Sequence, residues 1–439
     1  MILNNKEIKK FYEKYISDKN NKVIENAITK NGIFNSTINN DIYRKHNHEF
    51  NVQVKKGGMT NQKSSGRCWI FSSTNMLKTK ILEKLNVESF EFSENYLFFY
   101  DKLEKANTFL ELVIETADKP YDNRLLQNIM SFRVSDGGYW EWAQGLIKKY
   151  GLVPKSIMDD TYDAQNSNGL NQVLDFHLLS AAHKIREAFK NNENIEELRK
   201  IKHDALEIVF QINAKSLGLP PIEFTFEYRD KDKNFHKIEN ITPLDFLKEY
   251  IGFEFLDKIN LIHDPRDIYP KNRVYHSKYY KSVIEEKCVQ SLNTNINEIK
   301  EAIVKSLQAG IPVWFDCDVS LFIEPKAGIF DTDIYNFEDS LKIWNSISKK
   351  DRVNFKFSTP NHAMTFVGVD LDKDGKPIKW EVENSWGEDR RHKGYFSMSD
   401  KWFDEFCFGA IVDPKFVNKE VLKGLNEPAI ELEPWDPLA

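Results

Sequence analysis

The part of the sequence that most constrains the fold runs from Asn61 to Asn86, where a polar, glycine-containing segment passes into a long helical pattern. Serines and a glycine precede Cys68, and the apolar positions after it have the spacing of a buried helix: Trp69, Ile70, Phe71, Met76, Leu77 and Leu82. The pattern predicts a core helix that begins near Cys68. A thiol at such a position is either packed inertly or, because the helix dipole stabilises an anion there, serves as a nucleophile.

The composition is that of an ordinary globular protein. The 439 residues are 41% hydrophobic, 29% charged and 13% aromatic, which suits two or three domain-sized units with large cores. The formal net charge is -6, whereas a dedicated nucleic-acid binder usually carries a clear basic excess. This balance argues against nucleic-acid binding.

Targeting signals and cysteine usage indicate the compartment. The first residues contain no apolar segment long enough for a signal peptide, and no run of roughly 18 apolar residues occurs. The cysteines are far apart and form no C-x-x-C pair, which argues against a disulfide scaffold or a zinc ribbon. Cys288, Cys317 and Cys407 have apolar neighbours, which favours inert packing. We therefore expect a cytoplasmic protein without a membrane span.

The remaining pattern mixes helices and strands, so the predicted fold class is α+β. Residues 1–58 indicate one or two polar helices and a connecting arm, and helical periodicity dominates residues 68–150 and about 170–210. Residues 296–319 predict a helix followed by a short apolar strand, and residues 363–387 predict a β-hairpin.

The turn of this hairpin matches the calcium-loop pattern D-x-D-x-D-G-x5-E at Asp370, Asp372, Asp374, Gly375 and Glu381. That loop requires flanking helices, whereas both flanks here are strand-like, and an Asp/Gly-rich turn accounts for the same residues. His46 and His48 could share one face of a strand as ligands, but no third ligand is near them in the sequence. We therefore predict no metal ion and no cofactor.

A nucleophilic thiol needs a base and a group that orients the base. His362 stands at the start of the first predicted strand and Asn384 at the end of the second, so the hairpin brings them side by side. The Asn384 amide oxygen can then accept the imidazole N–H, and Trp386 can shield that bond from water. Gln62 and the backbone N–H of Cys68 are the candidate donors to an oxyanion. The predicted catalytic residues are therefore Cys68, His362, Asn384 and Gln62, with Trp386 in support.

The segment S-G-R-C-W resembles the papain-type nucleophile motif C-G-[SA]-C-[WY], with Ser65 replacing the first cysteine and Arg67 the small residue. With these departures, the chain resembles the bleomycin hydrolase/aminopeptidase C family of papain-like cysteine peptidases. The resemblance is also carried by the segments NQ, HAM…GVD, VENSWG, DGGYW, KYGLVPKSIM and KGYFSMSDKWFDEF. The resemblance covers nearly the whole chain. It implies a two-lobed papain-like core, helical and β-barrel-like, with a large helical insertion and a carboxy-terminal arm.

The spacing is consistent with that insertion. Papain-type histidines lie 130–150 residues after the cysteine, whereas His362 lies about 290 residues after Cys68. Five parts are predicted: an N-terminal helical arm (1–58), a helical lobe (59–160), an inserted oligomerisation subdomain (161–290), a β lobe (291–413) and the carboxy-terminal arm (414–439). In the family, the insertion helps to build a ring-shaped homohexamer, so the resemblance implies that assembly.

The resemblance also implies substrate-binding residues. Gly137 and Gly138 would form the edge along which the substrate backbone pairs, with a simple turn as the alternative. Tyr139 stands where many bleomycin hydrolases have glutamine. In the family, the carboxylate that ends the arm meets the free amine of the substrate. Ala439 is that residue here, but about three residues of the usual ending are missing, so at ~3.3–3.6 Å per residue its carboxylate would stop up to roughly 10 Å short.

The predicted function is a cytoplasmic cysteine peptidase that acts on peptides and releases their amino-terminal residues through a thioester. An oligopeptidase or endopeptidase is the alternative, because a short arm leaves room for further substrate residues. A disordered terminus is the alternative interpretation of the arm itself. A non-enzymatic nucleic-acid-binding role is the alternative from another class, and the complete catalytic set and acidic net charge argue against it.

Overall fold

The computed structural model describes residues 2–343 and 347–439. The α-helices, in chain order, are α1 (Asn5–Ser17), α2 (Lys19–Asn31), α3 (Ile33–Thr37), α4 (Asn40–Lys45), α5 (Cys68–Lys84), α6 (Glu94–Glu115), α7 (Arg124–Phe132), α8 (Trp140–Tyr150), α9 (Tyr162–Gln165), α10 (Asn168–Lys190), α11 (Ile195–Leu217), α12 (Pro243–Tyr250), α13 (Ile296–Gln308), α14 (Phe337–Leu341), α15 (Lys349–Asn354), α16 (Asp400–Phe406) and α17 (Lys419–Leu422). The strands are β1 (Val52–Gln53), β2 (Phe224–Arg229), β3 (Phe235–Ile241), β4 (Ile259–Ile262), β5 (Arg273–His276), β6 (Gln290–Asn293), β7 (Val313–Cys317), β8 (Ile323–Glu324), β9 (Ile329–Phe330), β10 (His362–Leu371), β11 (Pro377–Glu383), β12 (Tyr395–Ser399), β13 (Cys407–Val412) and β14 (Ile430–Glu431).

The helical lobe is organised around α5, the helix predicted to begin near Cys68. It begins at Cys68, and Trp69, Ile70 and Phe71 in its first turn are fully buried. Helix α5 packs against α6 and α8 on one side and against β10 on the other. The predicted helix is confirmed, and its amino end lies where the two lobes meet.

The β lobe is a single mixed sheet with the order β14-β5-β6-β4-β13-β7-β10-β11-β12-β9-β8, and β1 pairs with β10. Strands β10 and β11 form the predicted hairpin, with Thr365 opposite Glu383. Helix α13 covers this sheet, and their apolar side chains form a core separate from that of the helical lobe. Because His362 begins β10 and Asn384 directly follows β11, this hairpin positions both side chains.

The predicted insertion includes helices α9 to α12 and the β2–β3 hairpin, which share the core of the helical lobe. Strand β4 pairs with β13 and β6 pairs with β4, so residues 259–293 extend the main sheet. The predicted boundary at residue 290 therefore falls inside β6. Strands of four residues are too short to be recognised from hydrophobic periodicity.

The N-terminal residues form four helices, α1 to α4, where one or two were predicted. Neither α1 nor α2 contains a buried residue. Strand β1 then pairs with β10, with Val52 opposite Val369, so the connecting arm joins the main sheet. His46, at the end of α4, bonds to Ser397 and Asp331 through its two ring nitrogens.

The Asp/Gly-rich sequence between β10 and β11 is a tight turn. The Asp372 side chain accepts hydrogen bonds from the N–H groups of Asp374 and Lys376, and Glu381 is paired with Lys56 at 2.6 Å. Within residues 2–343 and 347–439, no group of three or more His, Cys, Asp or Glu side chains is arranged to hold a metal ion. None of the helices in these ranges has the length and apolar character needed to cross a bilayer.

Candidate active site

Cys68 is at the amino end of α5, where the helix dipole favours a thiolate. Burial alone would raise the pKa of Cys68. The charge and hydrogen bond of His362, together with the backbone N–H groups of Ala363 and Trp69, outweigh burial and hold the pKa of the thiol below its usual range. The sulfur therefore has the surroundings of a nucleophile rather than those of a packed thiol.

His362 is buried between the sulfur and Asn384. Its Nε2 donates to Asn384 Oδ1 at 3.0 Å, which leaves Nδ1 for Cys68. Burial alone would lower the pKa of His362, but the charge of Cys68 and the hydrogen bonds with Cys68 and Asn384 raise it above its usual range. The Trp386 ring centroid lies 5.2 Å from that of His362 and covers this pair. The opposite shifts of the two pKa values favour a thiolate–imidazolium pair.

Gln62 is held close to this pair by the segment that follows Asn384. Its backbone N–H donates to Ser385 O at 2.9 Å, and its Oε1 accepts the Ser385 hydroxyl at 2.7 Å. Its Nε2 donates one hydrogen to Ser65 O at 2.6 Å, and this bond does not use the second amide hydrogen. Arg67, the unusual residue of the motif, is fully buried and forms a bidentate pair with Asp160 at 2.8 and 3.1 Å.

The two glycines of DGGYW differ in their surroundings. A Cβ on Gly138 would lie 2.5 Å from the Trp69 ring, so only glycine fits against the first turn of α5. A Cβ on Gly137 would meet no atom within 4 Å, so Gly137 borders open space. The need for glycine at 138 therefore comes from Trp69, whereas Gly137 leaves the backbone accessible to a substrate.

The carboxy-terminal arm is fastened at several points. Asp436 pairs with Arg266 at 3.0 and 2.7 Å and accepts the Tyr269 hydroxyl at 2.7 Å. The Tyr280 hydroxyl donates to Pro434 O at 3.0 Å. The arm ends at the side chain of Tyr139, whose hydroxyl donates to the terminal Ala439 oxygen at 3.2 Å. Tyr139, the residue that departs from the expected glutamine, therefore contacts the end of the arm.

The model of the peptidase C1-like family matches residues 2–439, virtually the whole chain. The chain belongs to the peptidase C1-like family. Aminopeptidase C of Lactobacillus delbrueckii subsp. lactis is 40% identical over 95% of this chain and 93% of its own length. Human bleomycin hydrolase is 36% identical over 99% of this chain and 98% of its own length.

The crystal structure of PepW from Lactobacillus rhamnosis HN001 superposes with a TM-score of 0.95. The sequences are 35% identical, and the match covers 100% of this chain and 98% of PepW. The predicted family and the predicted papain-like α+β fold are confirmed.

This peptidase C1-like site also depends on residues that sequence reasoning missed. Lys105, buried on α6, donates to the carbonyl oxygens of Ser135 and Gly137, both at 2.7 Å, and pairs with Asp101 at 2.8 Å. Lys102 pairs with Asp136 at 2.7 Å, and the same carboxylate accepts the Gly66 N–H at 3.0 Å. These bonds lock the glycine edge against the segment that carries Cys68.

The sequence contained only a weak signal for this network. The charges of α6 have the spacing expected of a solvated helix face, and nothing local identifies partners some thirty residues away. Trp69 adds a further link, since its indole N–H donates to Asp136 O at 2.7 Å.

Replacing Asn384 by alanine is expected to lower kcat/KM about 10-fold or more, because a hydrogen bond to a charged imidazolium is lost. That bond raises the pKa of His362, so its loss moves the alkaline limb of the pH–kcat/KM profile to lower pH. The comparison variant is Asn384→Asp, whose carboxylate should move the limb to higher pH. Equal shifts in both variants would argue against an orienting role for Asn384.

Proposed function

We propose that this chain is a cysteine aminopeptidase that removes amino-terminal residues from peptides. The observation that carries the proposal is the Cys68–His362–Asn384 series of hydrogen bonds at the amino end of α5. The names of the relatives from Lactobacillus delbrueckii and human, aminopeptidase C and bleomycin hydrolase, support the same activity.

In the proposed reaction, the Cys68 thiolate attacks the scissile carbonyl carbon, and the carbonyl electrons move to oxygen. The free amide hydrogen of Gln62 and the Cys68 N–H stabilise that oxyanion. His362, held by Asn384, then protonates the leaving amine as the C–N bond breaks and a thioester forms. Water, deprotonated by His362, hydrolyses the thioester and restores the thiolate.

The arm gives the preference for an amino terminus. Ala439 lies beside Tyr139, directly after the glycine edge along which the acyl side of the substrate would pair. A carboxylate there attracts an α-ammonium group and leaves no room for a longer acyl-side chain. The alternative is an oligopeptidase or endopeptidase, in which the acyl side of the cleft accepts further substrate residues.

Peptide amides with free and acetylated amino termini distinguish the two activities. An aminopeptidase should cleave the free-amine peptide with a kcat/KM about 100-fold or more above that of its acetylated counterpart, since a buried charge pair is lost on acetylation. Mass spectrometry of the products gives the bond cleaved. Internal cleavage of the acetylated peptide at a similar rate would establish the alternative.

We also propose a homohexamer in the cytoplasm. Helices α1 and α2 bury none of their residues within one chain, and Phe11, Tyr12 and Val23 are more than half exposed, which supports their burial between subunits. All four cysteines are free thiols, which supports a reducing compartment. Light scattering should give close to six times the 51.5 kDa chain mass.

A further inference from the structure

Asp316 lies one strand away from the reactive sulfur. It is on β7, opposite Ala363 of β10, and the Ala363 N–H is a hydrogen-bond donor to Cys68. Directly opposite residues of an antiparallel pair project to the same face. Ala363 and Trp314, two residues before Asp316, pack into the helical-lobe core. Asp316 therefore projects from the face of the sheet that meets the helical lobe, where the substrate cleft lies.

The Asp316 carboxylate is only half satisfied. Its Oδ1 accepts the Gly409 N–H at 2.7 Å, and its Oδ2 has no hydrogen bond to any described residue. A Cβ on Gly409 would lie 3.1 Å from this Oδ2 and 3.3 Å from Asn260 Oδ1. These two acceptor oxygens therefore lie close together beside the Gly409 backbone, as does Leu261 O, which would be 3.1 Å from the same Cβ.

Asn260 and Glu141 extend this group of acceptors. Asn260 Nδ2 donates to Glu141 Oε1 at 3.1 Å, which directs Asn260 Oδ1 away from that bond. Within the described chain, Asn260 Oδ1 and Glu141 Oε2 are both buried and lack a hydrogen-bond partner. A buried acceptor without a donor costs free energy, so the arrangement is incomplete until a donor binds.

The absence of a cation here contrasts with several buried carboxylates elsewhere in the protein. Each of the following carboxylates is paired with a lysine or arginine at 2.7–2.8 Å: Asp101, Asp136, Asp160, Asp264 and Glu383. Within residues 2–343 and 347–439, neither Asp316, Glu141 nor the Ala439 carboxylate has a basic group within 4.0 Å. Lys349, the cation whose charge reaches Asp316, donates instead to the carbonyl oxygens of Asp404 and Cys407.

These carboxyl groups surround Tyr139. Burial and then the charges of its neighbours, Asp316 and Glu141 among them, raise the pKa of Tyr139, and its hydroxyl donates to Ala439. Burial raises the pKa of Asp316 to about 6, so this carboxylate is largely ionised at neutral pH. Burial raises the pKa of Glu141 to about 7, so at neutral pH the negative charge of this acceptor-rich group lies mainly on Asp316.

We propose that Asp316, together with Asn260 and Glu141, binds the ammonium group of a peptide substrate. The inference rests on the proposed peptidase function and adds a preference for cationic substrates. An ammonium group supplies the three N–H donors and the positive charge that this group of oxygens lacks. The ammonium is either the α-amino terminus of the substrate or a lysine side chain on its acyl side.

Binding to catalytically inactive protein tests the subsite independently of turnover. Calorimetry on Cys68→Ser protein would compare alanyl-alanine amide with its acetylated form, and acetyl-lysyl-alanine amide with acetyl-norleucyl-alanine amide. We expect at least one cationic ligand to bind about 10-fold more tightly than its neutral partner. The pair that shows the preference identifies the source of the ammonium.

In the Cys68→Ser protein, the additional substitution Asp316→Asn removes the negative charge of residue 316 and keeps an oxygen that can accept the Gly409 N–H. It should abolish the cation preference, and Glu141→Gln should reduce it. Asp374→Asn, in the exposed turn after β10, is the matched control and should retain the preference. Equal affinity of charged and neutral ligands for the parent protein would overturn the proposal, as would a preference that survives Asp316→Asn in folded protein. Peptidase assays of the unmodified chain test the proposed function separately.

Discussion

Replacing Cys68 by serine is expected to lower kcat/KM for peptide hydrolysis by at least about 10⁴-fold, as removal of a nucleophile does in enzymes of this mechanism. A serine hydroxyl at the same position has a pKa far above that of the thiol, so the pairing with His362 no longer produces an anion. The measurement is the initial rate on a free-amine peptide amide, with circular dichroism to show that the variant is folded.

Cys288→Ser is the matched control for that loss. Cys288 is also a partly exposed free thiol close to a histidine, with its sulfur 3.5 Å from His276 Nδ1, but no helix begins there. We expect activity to be retained in this variant, and iodoacetamide to label Cys68 first in the unmodified protein. Peptidase activity that survives in Cys68→Ser would contradict the proposed mechanism.

Removal of residues 436–439 is expected to lower the preference for a free over an acetylated amino terminus about 100-fold or more. The deletion removes the Ala439 carboxylate, the anion proposed to pair with the substrate ammonium, and also the Asp436–Arg266 pair that fastens the arm. The acetylated peptide should gain rate, because the acyl side of the cleft is no longer blocked. The measured quantity is the ratio of the two kcat/KM values.

Asp436→Asn distinguishes the attachment of the arm from the recognition of the substrate ammonium by the Ala439 carboxylate. It weakens the bidentate pair with Arg266 at 3.0 and 2.7 Å and keeps Ala439, so the ratio should fall by much less than in the deletion. If the shortened protein still cleaves only free-amine peptides, then the arm does not supply the preference. Asp316 would then be the carboxylate to examine.

The sequence predicted those parts of the site that depend on local pattern. The apolar spacing after Cys68 indicated α5 and a start near Cys68, and the alternation around an Asp/Gly turn indicated the β10–β11 hairpin. Helix and strand periodicity depend on which face is buried, so they can be recognised within ten to twenty residues. The hairpin then placed His362 beside Asn384 without knowledge of the remaining fold.

Interactions between distant segments were not predictable in this way. Lys105 and Asp136 have the charges of ordinary surface residues, yet both hold the glycine edge in place. Asp316 is one polar residue in an apolar strand, and its importance comes from Asn260 and Glu141, which are far away in the chain. No periodicity relates such positions, because their contacts exist only after the sheet and the helical lobe have packed together.

The sequence by itself therefore determined the chemistry at the centre: a thiol at a helix start, a histidine and an asparagine joined by a hairpin, and the family to which such a set belongs. The tertiary structure decided what surrounds that centre. It directed the Tyr139 hydroxyl to Ala439, left Asp316 without a cation and locked Gly137 to Lys105. Local backbone preference can specify a helix or a hairpin, but the electrostatic character of a cleft depends on side chains that only long-range packing brings within a few ångströms of each other.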